Sequence, residues 1–175
     1  MSKVVDRFAF ALNIMKSRNG KSLEKLDAVD LRLLKLLQED GRITNADLAR
    51  KVKLSPPSVL QRVRKLEESG LVTRYTAILD ADRLGFRLCV MAMVSLALHQ
   101  EKAIEGFRQA IVEIPEVMEV MHVSGDYDYL LKILIRDMGD YERLVREKIS
   151  TIPGVGRIQS SFVLGINKNS TALPL

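Results

Sequence analysis

Between Asn45 and Leu66 the chain reads NADLARKVKLSPPSVLQRVRKL, two short helical patterns joined by a tight break. From Arg50 to Lys65 it holds six basic residues (Arg50, Lys51, Lys53, Arg62, Arg64 and Lys65) and no Asp or Glu. Two short helices sharing an acid-free basic surface suit a helix-turn-helix, spanning Asn45 to Arg64. In that motif one helix lies in the DNA major groove while its flanks grip phosphate.

Charge along the 175 residues supports a division of labour. Residues 1–80 carry 16 Lys/Arg against 10 Asp/Glu, a net of +6, and residues 81–175 carry 11 against 12, a net of −1. Only the first half is therefore expected to meet a polyanion. At 47% hydrophobic and 28% charged residues the composition is ordinary for a globular protein. One cysteine, Cys89, excludes an internal disulfide; its apolar surroundings predict a buried thiol, in keeping with a reducing cytoplasm.

Residues 1–24 form an extension in which Val4, Val5, Phe8, Ala9 and Leu12 fall at helical spacing. No apolar run reaches the roughly 20 residues of a membrane span, and Asn13 interrupts the one that resembles a signal core. Residues 25–80 read as the DNA-binding domain. An amphipathic helix from Leu26 to Leu37 is capped by Asp27 and ends at Gly41, expected in a left-handed conformation. Thr44 or Asn45 caps a second helix with Leu48, Ala49 and Val52 inward and Leu54 packed in the turn. Ser55 caps a third, with Pro56 at its first position, and it runs to Ser69. There Val59, Leu60, Val63 and Leu66 face the core, leaving Ser58, Gln61, Arg62 and Lys65 outside. Leu71–Asp80 has strand composition and predicts the wing of a winged helix-turn-helix. Residues 81–88 are a linker.

Residues 89–167 alternate strand and helix: a strand at Cys89–Leu98, a helix at Glu101–Glu113, strands at Val117–Val123 and Tyr127–Arg136, a helix at Gly139–Thr151 and a strand at Val155–Asn167. On the third strand Tyr127, Tyr129, Leu131, Ile133 and Ile135 share a face; on the last, Ile158, Phe162, Leu164 and Ile166 do. The order β-α-β-β-α-β predicts a ferredoxin-like sandwich, giving an α+β chain overall. Its helices cover one sheet face only, so the other, also apolar, predicts at least a dimer. Residues 168–175 read as a tail.

The segments LDAVDLRLLKLLQEDGRITNADLA, LSPPSVLQRVRKLEESGLVTRYTAILD and VSGDYDYLLKI, with IPGV downstream, come in order over residues 25–165. In this the chain resembles the leucine-responsive/asparagine regulator (Lrp/AsnC, feast/famine) family of transcription factors. The resemblance implies a winged helix-turn-helix joined to an ACT-like ferredoxin domain that senses a ligand. It also implies dimers that assemble to tetramers or octamers. The chain departs from many members in its N-terminal extension and in having Pro57 and Ser58 where they carry Thr and Pro.

In the chemistry that follows, the third helix enters the groove with Ser55, Pro57, Ser58, Gln61 and Arg62 toward base edges or near phosphates. Gln reads adenine and Arg reads guanine through paired hydrogen bonds. Arg50, Lys51, Lys53, Arg64 and Lys65 are expected phosphate contacts, which position without specifying. In Ser124-Gly125-Asp126-Tyr127-Asp128-Tyr129, the backbone N–H groups about Gly125 suit a carboxylate and Asp126 and Asp128 suit an ammonium, the two charges of a free amino acid. A plain hairpin turn is the competing reading. The resemblance puts the effector pocket beside this turn at a subunit interface. It adds Met138, Ser150, Phe162, Val163 and Leu164 to Gly125, Asp126, Tyr127 and Asp128, an apolar lining suited to leucine or methionine.

His99 and His122 lack partners at metal-ligand spacing, and no catalytic triad, phosphate loop or dinucleotide fingerprint is visible. The chain is thus read as a non-enzyme without metal or cofactor. It is expected to be a cytoplasmic, nucleoid-associated regulator of amino-acid metabolism genes that binds double-stranded DNA and an amino acid. A ligand-independent architectural DNA-binding protein is the alternative.

Overall fold

The structure is a computed structural model that describes residues 26–97 and 100–175. The N-terminal extension with its helically spaced apolar residues, and Leu98 and His99, lie outside the described residues. The rest divides into two compact units: a head of residues 26–79 with Asn167–Leu175, and a sheet unit of Asp80–Ile166.

The head is built on three capped helices. Helix α1 (Ala28–Glu39) starts at Asp27 through a reciprocal capping box. Asp27 Oδ1 accepts the Asp30 N–H at 2.8 Å and Asp30 Oδ2 accepts the Asp27 N–H at 3.2 Å. Helix α2 (Asn45–Val52) is capped by Thr44, whose hydroxyl accepts the Asp47 N–H and donates to its carboxylate at 2.6 Å. Helix α3 (Pro56–Glu68) is capped by Ser55 with Pro56 and Pro57 at its start, where no N–H is needed. Leu33, Leu34, Leu48, Ala49, Val59, Val63 and Leu66 form the buried core, so the three helices share one apolar centre. Leu54, by contrast, stays 36% exposed rather than packing in the turn.

Gly41 does not take the expected left-handed conformation; α1 ends on the extended residue Asp40. What glycine supplies there is room, since a Cβ would lie 3.3 Å from Tyr75 Cδ1. Tyr75 in turn donates its hydroxyl to Glu67 at 2.8 Å, and burial with that carboxylate pushes its pKa up to about 12. The wing expected at Leu71–Asp80 forms no sheet pairing among the described residues, and Ile78 and Leu79 stand 78% and 69% exposed. Strand composition is not enough without a second edge to supply hydrogen bonds. The last residues close on α1: Gln38 Oε1 accepts the Leu173 N–H at 2.6 Å and Gln38 Nε2 donates to its carbonyl at 3.3 Å.

The caps make the head acid-sensitive. The Asp30 N–H and the Arg62 guanidinium hold the Asp27 carboxyl below its ordinary value of 3.8, and the Thr44 hydroxyl and Arg50 do the same for Asp47. Both carboxyls bind protons more weakly folded than unfolded. Their contribution is complete above the ordinary value and disappears as pH falls through the lower folded value. Thermal melts followed by circular dichroism should show the head's midpoint steady near pH 6 and falling only below about pH 4. A midpoint that rises on acidification would contradict this.

The sheet unit has the β-α-β-β-α-β order: β1 (Leu88–Leu96), α4 (Glu101–Val112), β2 (Val117–His122), β3 (Tyr129–Ile135), α5 (Met138–Leu144) and β4 (Val155–Phe162). The antiparallel strands lie in the order β2-β3-β1-β4. Alternation puts Val90, Ala92, Val94 and Leu96 of β1 and Tyr129, Leu131, Ile133 and Ile135 of β3 into one core with Phe107, Ile111, Tyr141, Leu144 and Ile149. The opposite face carries Cys89, Met91, Met93, Leu130 and Leu134, all half-buried, so the thiol expected to be buried is partly open.

Three expected bounds move. Tyr127 belongs to the turn before β3. Helix α5 gives way after Leu144 to a π-helical turn over Val145–Ile149. β4 stops at Phe162: among the described residues it pairs with β1 alone, and that ladder ends at Val90 opposite Phe162, with one further bond from the Val163 N–H to the Cys89 carbonyl. Leu164 and Ile166, expected inward, are therefore 101% and 59% exposed.

Candidate nucleic-acid interface and effector cavity

Helix α3 sorts its side chains by periodicity. Val59, Val63 and Leu66 are buried, whereas Pro57, Gln61, Arg64 and Lys65 are exposed and Ser58 is half-buried. The outward residues fall three and four apart and share one stripe. Ser55 stands exposed at its N-terminal end, its oxygen 3.4 Å from the Ser58 N–H. Arg50, Lys51 and Lys53 lie exposed at the end of α2 and in the turn, Arg50 paired with Asp47. Lys53 is the one described non-glycine residue in a left-handed conformation, at φ 58° and ψ 44°. It makes the tight break between the helices.

Arg62 is set apart from that stripe. Its Nη1 lies 2.7 Å from Asp27 Oδ2 and 2.7 Å from Asp30 Oδ1, so the guanidinium turns toward the first turn of α1. The two carboxylates, Asp30 foremost, hold its pKa above the ordinary arginine value.

A groove of about 430 Å3 opens at the start of α2, lined by Asp40, Arg42, Ile43, Thr44, Asp47, Arg50 and Lys51. It adds Arg42 to the basic surface. Arg42 stands between helices, outside any helical stripe, so periodicity does not single it out.

On the sheet unit, a cavity of about 680 Å3 is lined by Met138, Tyr141, Glu142, Val145, Arg146, Ser150, Ile158, Ser160 and Phe162. Met138, Ser150 and Phe162 of the expected effector set meet there; Val163 and Leu164 do not line it. The π-helical turn supplies Val145 and Arg146 to the wall, and such turns recur at functional sites. Tyr141 and Ser160 share a short hydroxyl-hydroxyl hydrogen bond, and the Tyr141 and Phe162 rings meet edge to face at 5.5 Å. Arg146 pairs with Glu142 at 3.4 Å and with Glu147 at 3.0 Å.

The SGDYDY turn lies elsewhere. Gly125 takes φ +121°, which a side chain would resist. Asp128 is committed to the end of β1: its Oδ2 accepts the Leu96 N–H at 2.7 Å and its own N–H donates to Val94 at 2.9 Å. Asp126 is exposed, and its carbonyl accepts the Ser95 hydroxyl at 3.2 Å. The Tyr127 hydroxyl donates to Gln159, and Arg157 sits 5.6 Å from the centre of the Tyr127 ring. Gln159 pairs with Met93 on the sheet face away from the helices, whereas Ile158, Ser160 and Phe162 alternate onto the cavity side. One chain therefore keeps the turn and the cavity on opposite faces of its sheet.

Known proteins match both units. Residues 26–73 match the family described as winged helix-turn-helix DNA-binding, and residues 89–173 match the Lrp/AsnC ligand binding domain. The leucine-responsive regulatory protein of Escherichia coli K12 is 39% identical over 158 residues, 90% of this chain and 94% of that protein. The Bkd operon transcriptional regulator of Pseudomonas aeruginosa is 37% identical over 153 residues, 87% of this chain and 100% of its own. Among solved structures, a Neisseria meningitidis transcriptional regulator in complex with L-Met superposes with a TM-score of 0.83 at 36% identity, covering 86% of this chain and 97% of that one. An AsnC family regulator from Agrobacterium tumefaciens gives 0.81 at 34%, over 85% and 97%. No described helix is long and apolar enough to cross a membrane. The relatives are transcriptional regulators rather than enzymes, and with both units matched and similarity running along nearly their whole length, the chain belongs to the Lrp/AsnC family of DNA-binding transcriptional regulators.

Proposed function

We propose that the protein regulates amino-acid metabolism genes from the cytoplasm, on the nucleoid, as a dimer or larger assembly that responds to an apolar amino acid such as leucine or methionine. The observation that carries this is the cavity, whose Met138, Val145, Ile158 and Phe162 suit an aliphatic side chain while Glu142 and Arg146 offer partners to an ammonium and a carboxylate. A relative crystallised with L-Met supports the same ligand class. The half-buried methionines and leucines of the open sheet face suit a second copy. Assembly could set the Gly125–Asp128 turn of one copy against the cavity of another.

On DNA, Ser55, Pro57, Ser58 and Gln61 face the bases, and Arg50, Lys51, Lys53, Arg64 and Lys65 hold phosphate. Two heads related by a dimer axis read half-sites separated by helical turns. Selection from a random duplex library should return a two-fold symmetric motif, and calorimetry with a panel of amino acids should give heat with leucine or methionine. A motif with no heat from any amino acid favours the architectural alternative; no motif at all contradicts specific reading.

Lys53 separates backbone from charge. Lys53→Gly frees the left-handed turn of its Cβ and should leave the head between neutral and about 1 kcal/mol more stable. The same change should make the log–log salt slope of DNA binding shallower by about one. An unchanged slope removes Lys53 from the phosphate set.

A further inference from the structure

The capping box of α1 spends only half of its carboxylate oxygens on the helix. Asp27 Oδ1 and Asp30 Oδ2 accept each other's backbone N–H groups, and the remaining two, Asp27 Oδ2 and Asp30 Oδ1, both take Arg62 Nη1 at 2.7 Å. The four oxygens thus accept four hydrogen bonds, and two of these come from the one Nη1 of Arg62 on α3, more than 30 residues away along the chain. Arg62 stands between the outward stripe of Gln61 and Arg64 and the buried Val59 and Val63. Its side chain is 34% exposed, against 17% for Asp30.

Electrostatics weighs against a second employment of this guanidinium on DNA. One positive charge faces two negative ones, leaving the cluster at −1, and a phosphate approaching it would meet net repulsion. To read a guanine through Nη1, Arg62 would have to leave both carboxylates, stranding the part-buried Asp30 charge, and its other N–H groups share the same net-negative surroundings. Gln61 and Arg64 on the adjoining stripe face no such cost.

We propose that Arg62 is a positioning residue: it ties α3 to the first turn of α1, fixes the angle at which the reading helix is presented, and does not itself contact DNA. The proposal rests on the DNA-binding role of the head, and its stability arm needs no DNA, so the two can fail separately.

The test is a double-mutant cycle in the full-length protein between Arg62→Gln and the pair Asp27→Asn with Asp30→Asn, which removes charge while asparagine keeps the helix cap. The probe is a duplex selected by the wild-type protein, with its single-base variants, titrated across salt at a temperature where circular dichroism shows each variant folded. Arg62→Gln should raise Kd by roughly 5- to 30-fold, the factor that one or two broken polar contacts carry. That loss should be uniform over the duplex variants, with the salt slope unchanged. The Asp pair should give a similar loss, and the combined variant should be little worse than either. Melting temperatures should show the same non-additivity without DNA. Should Arg62→Gln not fold, Arg62→Lys, able to hold one carboxylate at a time, takes its place.

A salt slope shallower by about one, or a loss confined to one base pair, would make Arg62 a direct contact and overturn the proposal. So would additive losses, or tighter binding when the Asp pair is neutralised. A lowered melting temperature with unchanged Kd would reduce Arg62 to a purely structural role and overturn it as well.

Discussion

Replacing Arg50, Lys51, Lys53 and Arg64 together by Gln is expected to weaken duplex DNA binding on the order of a hundredfold near 0.2 M salt, and to make the log–log salt slope shallower by up to about 3.6. All four side chains are exposed, and none belongs to the head's core, so the fold should survive the change. Each cation on a phosphate releases condensed counterions, and that release supplies most of the affinity without carrying sequence information. The variant should therefore keep its order of preference among duplexes while losing affinity for all of them. Filter binding over a salt series checks both statements. An unchanged slope would mean that the basic surface seen on the head is not the surface that meets DNA.

The second large effect belongs to the cavity. Phe162→Asp should abolish the heat of L-methionine binding, a loss of at least about a hundredfold, while DNA binding by the effector-free protein persists. Phe162 forms part of the apolar lining and meets Tyr141 edge to face. A carboxylate there would sit unpaired against an aliphatic ligand, at a cost of several kcal/mol in a desolvated site. The fold should tolerate it, because Phe162 is 37% exposed at the last rung of an edge strand. Retained methionine binding would place the effector elsewhere on the chain.

What could be read from the sequence follows from how local each cause is. Thr44 and Ser55 announce their helices because a cap bonds within its own first turn. The alternation of Tyr129, Leu131, Ile133 and Ile135 announces a strand with one buried face, and two β-α-β patterns then leave few topologies. What escaped depends on distant partners. Leu71–Asp80 has the composition of a strand but pairs with no edge among the described residues. β4 ends where its ladder with β1 stops, at Val90 opposite Phe162, which its own residues do not encode. Gly41 looked like a helix stop, yet the contact that demands glycine comes from Tyr75.

The site divides in the same way. The outward stripe of α3 is periodic and therefore legible. Arg62 fits the stripe by spacing, and only the fold shows that Asp27 and Asp30 hold it. The π-helical turn brings Val145 and Arg146 to the cavity, with Ser150 directly after it, but the residues VREKI are ordinary helix formers and carry no sign of it.

A chain that couples a reading head to an amino-acid site requires a coupling free energy between them. The most direct measurement is the Kd of the protein for its own selected duplex, with and without saturating L-leucine or L-methionine, at fixed salt. A shift of roughly 5- to 150-fold in either direction, matched by an equal shift in amino-acid affinity when DNA is bound, is the predicted result. Identical Kd values, with calorimetry showing the amino acid bound in both states, would contradict it.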